Sequence, residues 1–294
     1  MVERSPWFDA FCHLMLLLGA IAMCLPLYYA IVASTHSLDD VLKIPMPLMP
    51  GKELFDNLQE AIRTPNFARQ LFNSLVLALG ITIVKIAVSF IAAFAVTYFR
   101  FRFRVLAFWL IFSTLMLPVE VRIVPTYELA ANVFAPLNWL LGGVLKVHLE
   151  WNLLDTYTGL ILPLAASATG TFLFRQLFLT VPDELLEAAK IDGAGPIHFA
   201  RDILWPLSRT NVIALTVILF VFGWNQYLWP MLIITEPNMT TAVVGLAKSL
   251  PGVSDSVPHW NTAMARALLI SIPPVTIVLI LQRWFVKGLV DAEK

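Results

Sequence analysis

The sequence predicts an all-α membrane protein with six transmembrane helices. Of its 294 residues, 59% are hydrophobic and only 14% are charged, whereas a soluble domain has roughly 25% charged residues. Several runs reach the roughly 20 apolar residues that a helix needs to cross a bilayer. No internal repeat or second soluble domain is visible, so residues 1–294 are predicted to form a single transmembrane domain.

The apolar runs give the order of the spans. The first run exceeds the roughly 7–15 residue core of a signal peptide and lacks a clear cleavage site, so we predict a retained span. The third is interrupted at Leu117-Pro118, and a polar loop covers residues 34–69. A second loop, residues 132–158, has enough apolar residues to lie against the membrane. The predicted spans are residues 13–32, 71–98, 105–130, 159–178, 212–234 and 263–286, with a polar segment at residues 180–210.

Basic residues predict the orientation of the chain. Arg100, Arg102 and Arg104 crowd the short turn after the second span. By the positive-inside rule this turn, both termini and the segment 180–210 are expected to be cytoplasmic. The net charge is zero, so nothing indicates a nucleic-acid partner. Cys12 and Cys24 lie about 18 Å apart on one helix, too far for a disulfide.

The segment Pro182–Pro206, PDELLEAAKIDGAGPIHFARDILWP, is predicted to form two short helices joined by a tight turn. Thr180 is expected to cap the first helix, and Gly193 to end it in the left-handed conformation. Pro196 is expected to open the second helix and Pro206 to stop it. A helix of about ten residues is unstable alone in water, so something must pack on it.

This segment resembles the cytoplasmic loop signature of permease subunits of bacterial ABC importers. The residues that carry the resemblance are Glu187, Ala188, Ala189, Gly193, Ile203 and Pro206. In that family the loop forms a coupling helix that docks into a cleft on the ATP-hydrolysing subunit. The resemblance assigns this role to Glu187, Ala188, Ala189, Asp192 and Gly193. Trp205 departs from the pattern, because the family usually has Leu there. An ordinary surface helical hairpin is the alternative interpretation.

Further stretches are similar to the permease branch that imports oligosaccharides and glycerol phosphates. They are LPVEVRIVPTYEL, GWNQYLWPMLIIT and the tail QRWFVKGLVDAEK. The resemblance implies import of sn-glycerol 3-phosphate or related glycerophosphodiesters across the bacterial inner membrane by alternating access. It also implies three partners: a second, different permease subunit, a homodimeric ATPase and a periplasmic binding protein. A neutral oligosaccharide such as maltose is the alternative cargo. An ion-driven carrier and a structural membrane scaffold are alternatives from other classes.

Catalytic motifs are absent from the sequence. No Gly-x4-Gly-Lys-Ser/Thr phosphate loop occurs, so ATP and magnesium are expected in the partner ATPase and no cofactor in this chain. No catalytic residue set is recognisable. The histidines show no metal-ligand spacing, so no metal site is expected; they are His13, His36, His148, His198 and His259.

Polar residues inside the spans are candidates for a substrate pathway. An ionised Lys85 near the middle of the second span costs roughly 2.5–3.5 kcal/mol on insertion scales, so it should face a cavity or a partner. It either meets substrate or forms a structural ion pair, for example with Glu120. Glu120 and Arg122 form a second group at the outer end of the third span. The third group lines the pathway or packs between helices; it comprises Trp224, Asn225, Gln226 and Tyr227.

Overall fold

The computed structural model describes residues 6–141, 149–250 and 257–291; the side chains of residues 6, 119, 120, 141 and 284–291 are not part of that description. These residues are mostly helical and contain no β-strand. The helices are α1 Pro6–Ser34, α2 Leu38–Val41, α3 Leu54–Arg63, α4 Phe67–Tyr98, α5 Arg104–Ser113, α6 Val119–Ala131, α7 Ala135–Leu141, α8 Tyr157–Ile161, α9 Ala168–Thr180, α10 Asp183–Ile191, α11 Pro196–His198, α12 Trp205–Leu207, α13 Arg209–Trp224, α14 Leu228–Ile233, α15 Ala242–Ser249 and α16 Trp260–Asp291.

Three of these helices are long and apolar enough to cross a membrane: α1, α4 and α16. Three further pairs of helices meet the same condition together but are bent at a short break, which gives up to six spans among the described residues. Apolar composition and length therefore support a polytopic membrane protein.

The breaks in the bent pairs have local causes. The predicted interruption at Leu117-Pro118 is confirmed, because a 3₁₀ turn after α5 ends at Met116 and Pro118 precedes α6; the two halves are bent by 108°. A second break, of 50°, precedes α9 and was not expected from the sequence. There the Ser167 hydroxyl accepts a hydrogen bond from the Gly170 N–H and starts a new helix.

The chain divides into two compact units, of which the first comprises Met1–Ala68 and Gly245–Ile272. A buried amide organises this unit. The Asn57 side chain, 3% exposed, donates hydrogen bonds to the carbonyls of Ser34 and His36, both at 2.9 Å. Its oxygen accepts from the Asn261 amide at 2.7 Å. These bonds hold α3 against the end of α1 and the start of α16.

The second unit comprises Arg69–Val244 and Pro273–Lys294. Its core on the side of α10 is aromatic: the Phe90 ring on α4 meets Phe174 and Phe178 on α9 edge to face, with centroids 5.5 and 5.3 Å apart. Phe199 and the leucines of α13 complete the same cluster. Each such aromatic pair contributes about 0.5–1.5 kcal/mol beyond its buried area.

A glycine lets two helices of the second unit approach closely. A Cβ atom at Gly223 on α13 would lie 2.9 Å from the Cα of Ala78 on α4. Small residues permit such backbone approaches between membrane helices. Gly223 is therefore needed for the packing of α13 on α4.

We predict that Gly223→Ala lowers the thermal unfolding temperature of the purified chain in detergent. The added methyl group meets backbone, and overpacking of this kind costs about 1–3 kcal/mol. The control is Gly19→Ala in α1, where a Cβ has nothing within 4 Å and the gain in helix propensity should leave stability unchanged or raised. Equal unfolding temperatures for the two variants would contradict this packing.

Candidate coupling segment and transport pathway

The short helix α10 begins after Pro182, and Asp183 and Glu184 occupy its first turn. Their carboxylates complement the positive end of the helix dipole. The expectation that Thr180 caps this helix is wrong. Its hydroxyl donates to the Leu177 carbonyl at 2.7 Å, so Thr180 belongs to the end of α9.

The end of α10 is a Schellman turn. Gly193 has φ +74°, as predicted for a left-handed residue at this position. The Ala194 N–H donates to the Ala189 carbonyl at 2.8 Å, and the Gly193 N–H to the Lys190 carbonyl at 3.1 Å. These two bonds satisfy carbonyls that the helix end would otherwise leave unpaired.

The second half of the segment is more continuous than expected. Pro196 opens α11, as predicted. Pro206 does not stop the helix, because a π-helical stretch Phe199–Leu204 leads into α12, which contains Pro206 and ends at Leu207. The wider π turn precedes the proline, whose missing N–H rules out an ordinary helical bond there. The chain then bends by 73° before α13.

The two faces of α10 have different environments. Ala189 is 5% exposed and belongs to the aromatic cluster of the second unit, with Leu186 packed beside it. The remaining residues assigned to coupling are exposed: Glu187, Ala188, Asp192 and Gly193. Ile191 is also exposed, at 86%, although it is a large apolar side chain. The helix is thus anchored on one side and free on the other.

Trp205, the departure from the family pattern, packs behind this segment. Its ring lies edge to face on Phe90, with centroids 5.4 Å apart. The larger side chain therefore adds a contact between α12 and α4 without reaching the exposed face of α10.

Lys85 is buried near the middle of α4, with 8% of its surface exposed. Its Nζ lies 4.3 Å from the centre of the Phe222 ring on α13, a cation–π contact. Among the described side chains, no carboxylate forms an ion pair with Lys85. The side chain of Glu120, the suggested partner, lies outside the described residues. Arg122 is exposed, and its charge is close enough to repel that of Lys85.

The residues from the end of α13 to the start of α14 have two environments: some are buried in packing and others are exposed. Trp224 is 2% exposed and stacks on Phe220 at 5.8 Å. The Gln226 amide donates to the backbone carbonyl of Phe222 at 3.1 Å. Asn225 and Tyr227 are exposed between α13 and α14.

The sequence did not identify two residues that make notable contacts, Phe222 and Asp155. Nothing in the sequence marked Phe222 as the partner of Lys85, because a phenylalanine in an apolar run is common. Asp155 also went unnoticed: its carboxylate accepts bonds from the Thr235 hydroxyl and N–H, both at 2.6 Å, and from the Glu236 N–H at 2.9 Å. Burial alone would raise the pKa of Asp155, but these bonds hold the pKa below its ordinary value.

A second missed group fixes the start of α4 in the second unit. The buried Asn73 amide donates to the carbonyls of Asn238 and Thr240, at 2.8 and 3.0 Å, and Asn73 accepts from the Tyr157 hydroxyl at 2.7 Å.

Within the residues that the structure covers, no group of three or more His, Cys, Asp or Glu side chains is placed to hold a metal ion.

The described chain is thus a polytopic helical protein with a short, partly exposed helix packed on its long apolar helices. The chain belongs to the family described as binding-protein-dependent transport system inner membrane component, which matches residues 85–291. This family is a transport permease family and not one of catalysts.

Relatives match over the full length of the chain. It is 50% identical to the sn-glycerol-3-phosphate transport system permease protein UgpE of Agrobacterium fabrum, with 100% of both chains covered. It is 52% identical to the protein of the same name from Yersinia pestis, again with 100% of both covered.

Solved structures with the same fold are more distant in sequence. A chain from the crystal structure of a bacterial ABC transporter involved in import of the acidic polysaccharide alginate has a TM-score of 0.77 at 19% identity, with 97% of this chain and 99% of that chain covered. A chain from the alginate transporter in complex with a pentasaccharide-bound periplasmic protein has a TM-score of 0.63 at 16% identity, with 93% of each covered. These likenesses show the permease fold.

We predict that Ala189→Leu increases hydrogen exchange of the backbone amides between Asp183 and Ala194. The larger side chain cannot enter the aromatic cluster without displacing α10, because overpacking costs about 1–3 kcal/mol. Ala188→Leu on the exposed face is the matched control and should leave exchange unchanged. The prediction is tested by exchange mass spectrometry of the purified chain; equal protection in the two variants would show that α10 is not anchored through Ala189.

Proposed function

We propose that this chain is one of two different permease subunits of an ATP-driven importer of sn-glycerol 3-phosphate or related glycerophosphodiesters. The observation that carries the proposal is the division of α10 into an anchored face and an exposed face. A helix held through Ala189 and exposing Ile191 has an apolar contact to offer a partner protein. Glu187 and Asp192 add charges beside it.

The partner at α10 is a homodimeric ATPase, which binds ATP and magnesium. Closure of that dimer would move α10, and the aromatic cluster would transmit the movement to α4, α9 and α13. A buried, close-packed contact transmits displacement because protein interiors are only slightly compressible. A second permease subunit completes the passage, a periplasmic binding protein delivers the substrate, and the cavity opens to each side in turn. The six spans of the family fold are then α1, α4, the bent pair α5–α6, the bent pair α8–α9, α13 followed by α14, and α16.

The termini and the coupling segment are cytoplasmic in this proposal. Arg100, in the turn between α4 and α5, and Arg104, at the start of α5, line the same cleft as Lys190 on α10. The basic turn and the coupling segment are therefore at the same end of the second unit. Such a concentration of basic residues favours the cytoplasmic side.

The substrate is assigned from charge as well as from the relatives. A phosphate monoester carries close to two negative charges near neutral pH. Lys85 is a buried cation at mid-depth whose described neighbours include the Phe222 ring but no paired carboxylate. Arg122 adds a second positive charge nearby. A passing anion would compensate both charges, and an isolated buried charge is unfavourable by several kcal/mol.

We predict that Gly193→Pro abolishes uptake of labelled sn-glycerol 3-phosphate while the protein still inserts. Proline cannot adopt φ +74° and removes the N–H that bonds to Lys190. Gly193→Asn is the matched control, because Asn tolerates the left-handed conformation and keeps the N–H. It should retain at least about half of the uptake at equal membrane level. Normal uptake with Gly193→Pro would remove the coupling assignment.

Two further measurements distinguish the other classes of function. An ion-driven carrier would transport as a purified single chain in liposomes on an ion gradient, without any ATPase. A scaffold would show no uptake phenotype on deletion.

We predict that Lys85→Met lowers sn-glycerol 3-phosphate uptake by about tenfold or more with assembly intact. The substitution keeps side-chain length and contact with the Phe222 ring but removes the cation. Lys248→Met, at an exposed lysine outside the pathway, should leave uptake unchanged.

Uptake and membrane level are measured together to separate the outcomes. If Lys85 is instead half of a structural ion pair with Glu120, assembly fails in Lys85→Met, and exchanging the two charges restores it. Unchanged uptake at normal protein level would exclude both roles.

A further inference from the structure

An apolar groove of about 680 Å³ follows the last turns of α4 in the second unit. Every residue that lines it is apolar; they include Ile91 and Ala95 on α4, Phe99 after it, and Ile197 on α11. Ile91 and Ile197 are among the most exposed apolar side chains of this unit. Because α4 is long and apolar enough to span a membrane, the α4 end of the groove is expected to face lipid.

The groove continues into two cavities that become progressively more polar. The first, of about 370 Å³, shares Phe94 and Phe99 with the groove and reaches Arg100 and Lys190. The second, of about 920 Å³, shares both cations and adds Arg104 and the Asp183 carboxylate. One continuous surface therefore runs from apolar walls to a basic mouth, and we call the whole of it the basic cleft.

The mouth of the basic cleft has excess positive charge. Arg100, Arg104 and Lys190 are exposed, and none forms an ion pair with a carboxylate in the described part of the chain. Among the described residues that line the cleft, Asp183 is the one carboxylate. Glu187, on the exposed face of α10, does not line it.

We propose that the basic cleft binds an anionic phospholipid such as phosphatidylglycerol. The headgroup phosphate lies between Arg100 and Lys190, and an acyl chain lies in the groove along α4. Basic pockets between membrane helices on the cytoplasmic side suit anionic headgroups, and only an amphiphile uses both the charges and the apolar walls. The lipid fills the space between α10 and α4 on the side opposite the exposed coupling face. The site is independent of the transported substrate.

The test is native mass spectrometry of the full-length chain in detergent, titrated with phosphatidylglycerol or with phosphatidylcholine. We expect tighter binding of phosphatidylglycerol. Arg100→Gln with Lys190→Gln should weaken it by about tenfold, since each cation near the membrane surface adds to the attraction. The matched control, Arg102→Gln with Arg201→Gln, removes two cations that do not line the cleft and should change binding less than about twofold.

A steric variant tests the acyl chain separately. Ala95→Trp fills the groove and leaves every charge in place, so it should also weaken phosphatidylglycerol binding by several fold. This variant keeps the proposal testable if the charge variants fold poorly. An unchanged affinity would show that no acyl chain occupies the groove and would overturn the proposal.

Three other results would overturn it as well. They are equal affinity for the two lipids, an equal loss in the control pair, and displacement of phosphatidylglycerol by soluble glycerol 3-phosphate, which lacks acyl chains. The last measurement is made on the assembled transporter extracted from membranes. Phosphatidylglycerol should remain bound to it at the same site, whereas its absence there would mean that another protein chain covers the groove. Transport is not measured, so these outcomes are separate from those for the proposed function.

Discussion

The packing of Ala189 into the aromatic cluster is the contact on which the coupling segment depends. A helix of nine residues is too short to be stable in water by itself. Its Schellman turn at Gly193 pairs carbonyls at its end but does not attach it to the rest of the protein. The attachment comes from Ala189, which is buried in the cluster that contains Phe174, Phe178 and Phe199, with Leu186 packed against the same cluster. Because the Ala189 side chain is small, the backbone of α10 can approach the aromatic rings closely, and a larger residue would push it away.

This contact also gives the two faces of α10 different roles. The inner face meets residues from α4, α9 and α13, which belong to three of the proposed spans, so a displacement of α10 is shared among them. The outer face leaves Ile191 and Glu187 available to a partner. The basic cleft begins beside the inner face, where Lys190 and Arg100 line the same cavity. A lipid in that cleft would change how firmly α10 is held without occupying the outer face.

The sequence was most informative where backbone chemistry is local. Gly193, Pro196 and the Leu117-Pro118 break follow from φ preferences and from the missing proline N–H, so they could be predicted residue by residue. The predictions for Thr180 and Pro206 were wrong because neighbouring structure determines the helix ends there. Helix α9 extends to Thr180, and a π-helical turn continues the helix past Pro206. The environment of Lys85 could not be predicted, since Phe222 lies far along the chain. Asp155 is similar, because its partners, two backbone N–H groups and the Thr235 hydroxyl, belong to a distant loop.

The central claim, that the outer face of α10 meets an ATP-binding partner, is tested most directly by photo-cross-linking in living cells. A photoreactive amino acid is placed at Ile191 on the outer face, or at Leu186 on the inner face. The account predicts that Ile191 gives a cross-linked product containing a protein that binds an ATP analogue, and that Leu186 gives none. A product at Leu186 with nothing at Ile191, or a partner at Ile191 that does not bind ATP, would contradict it.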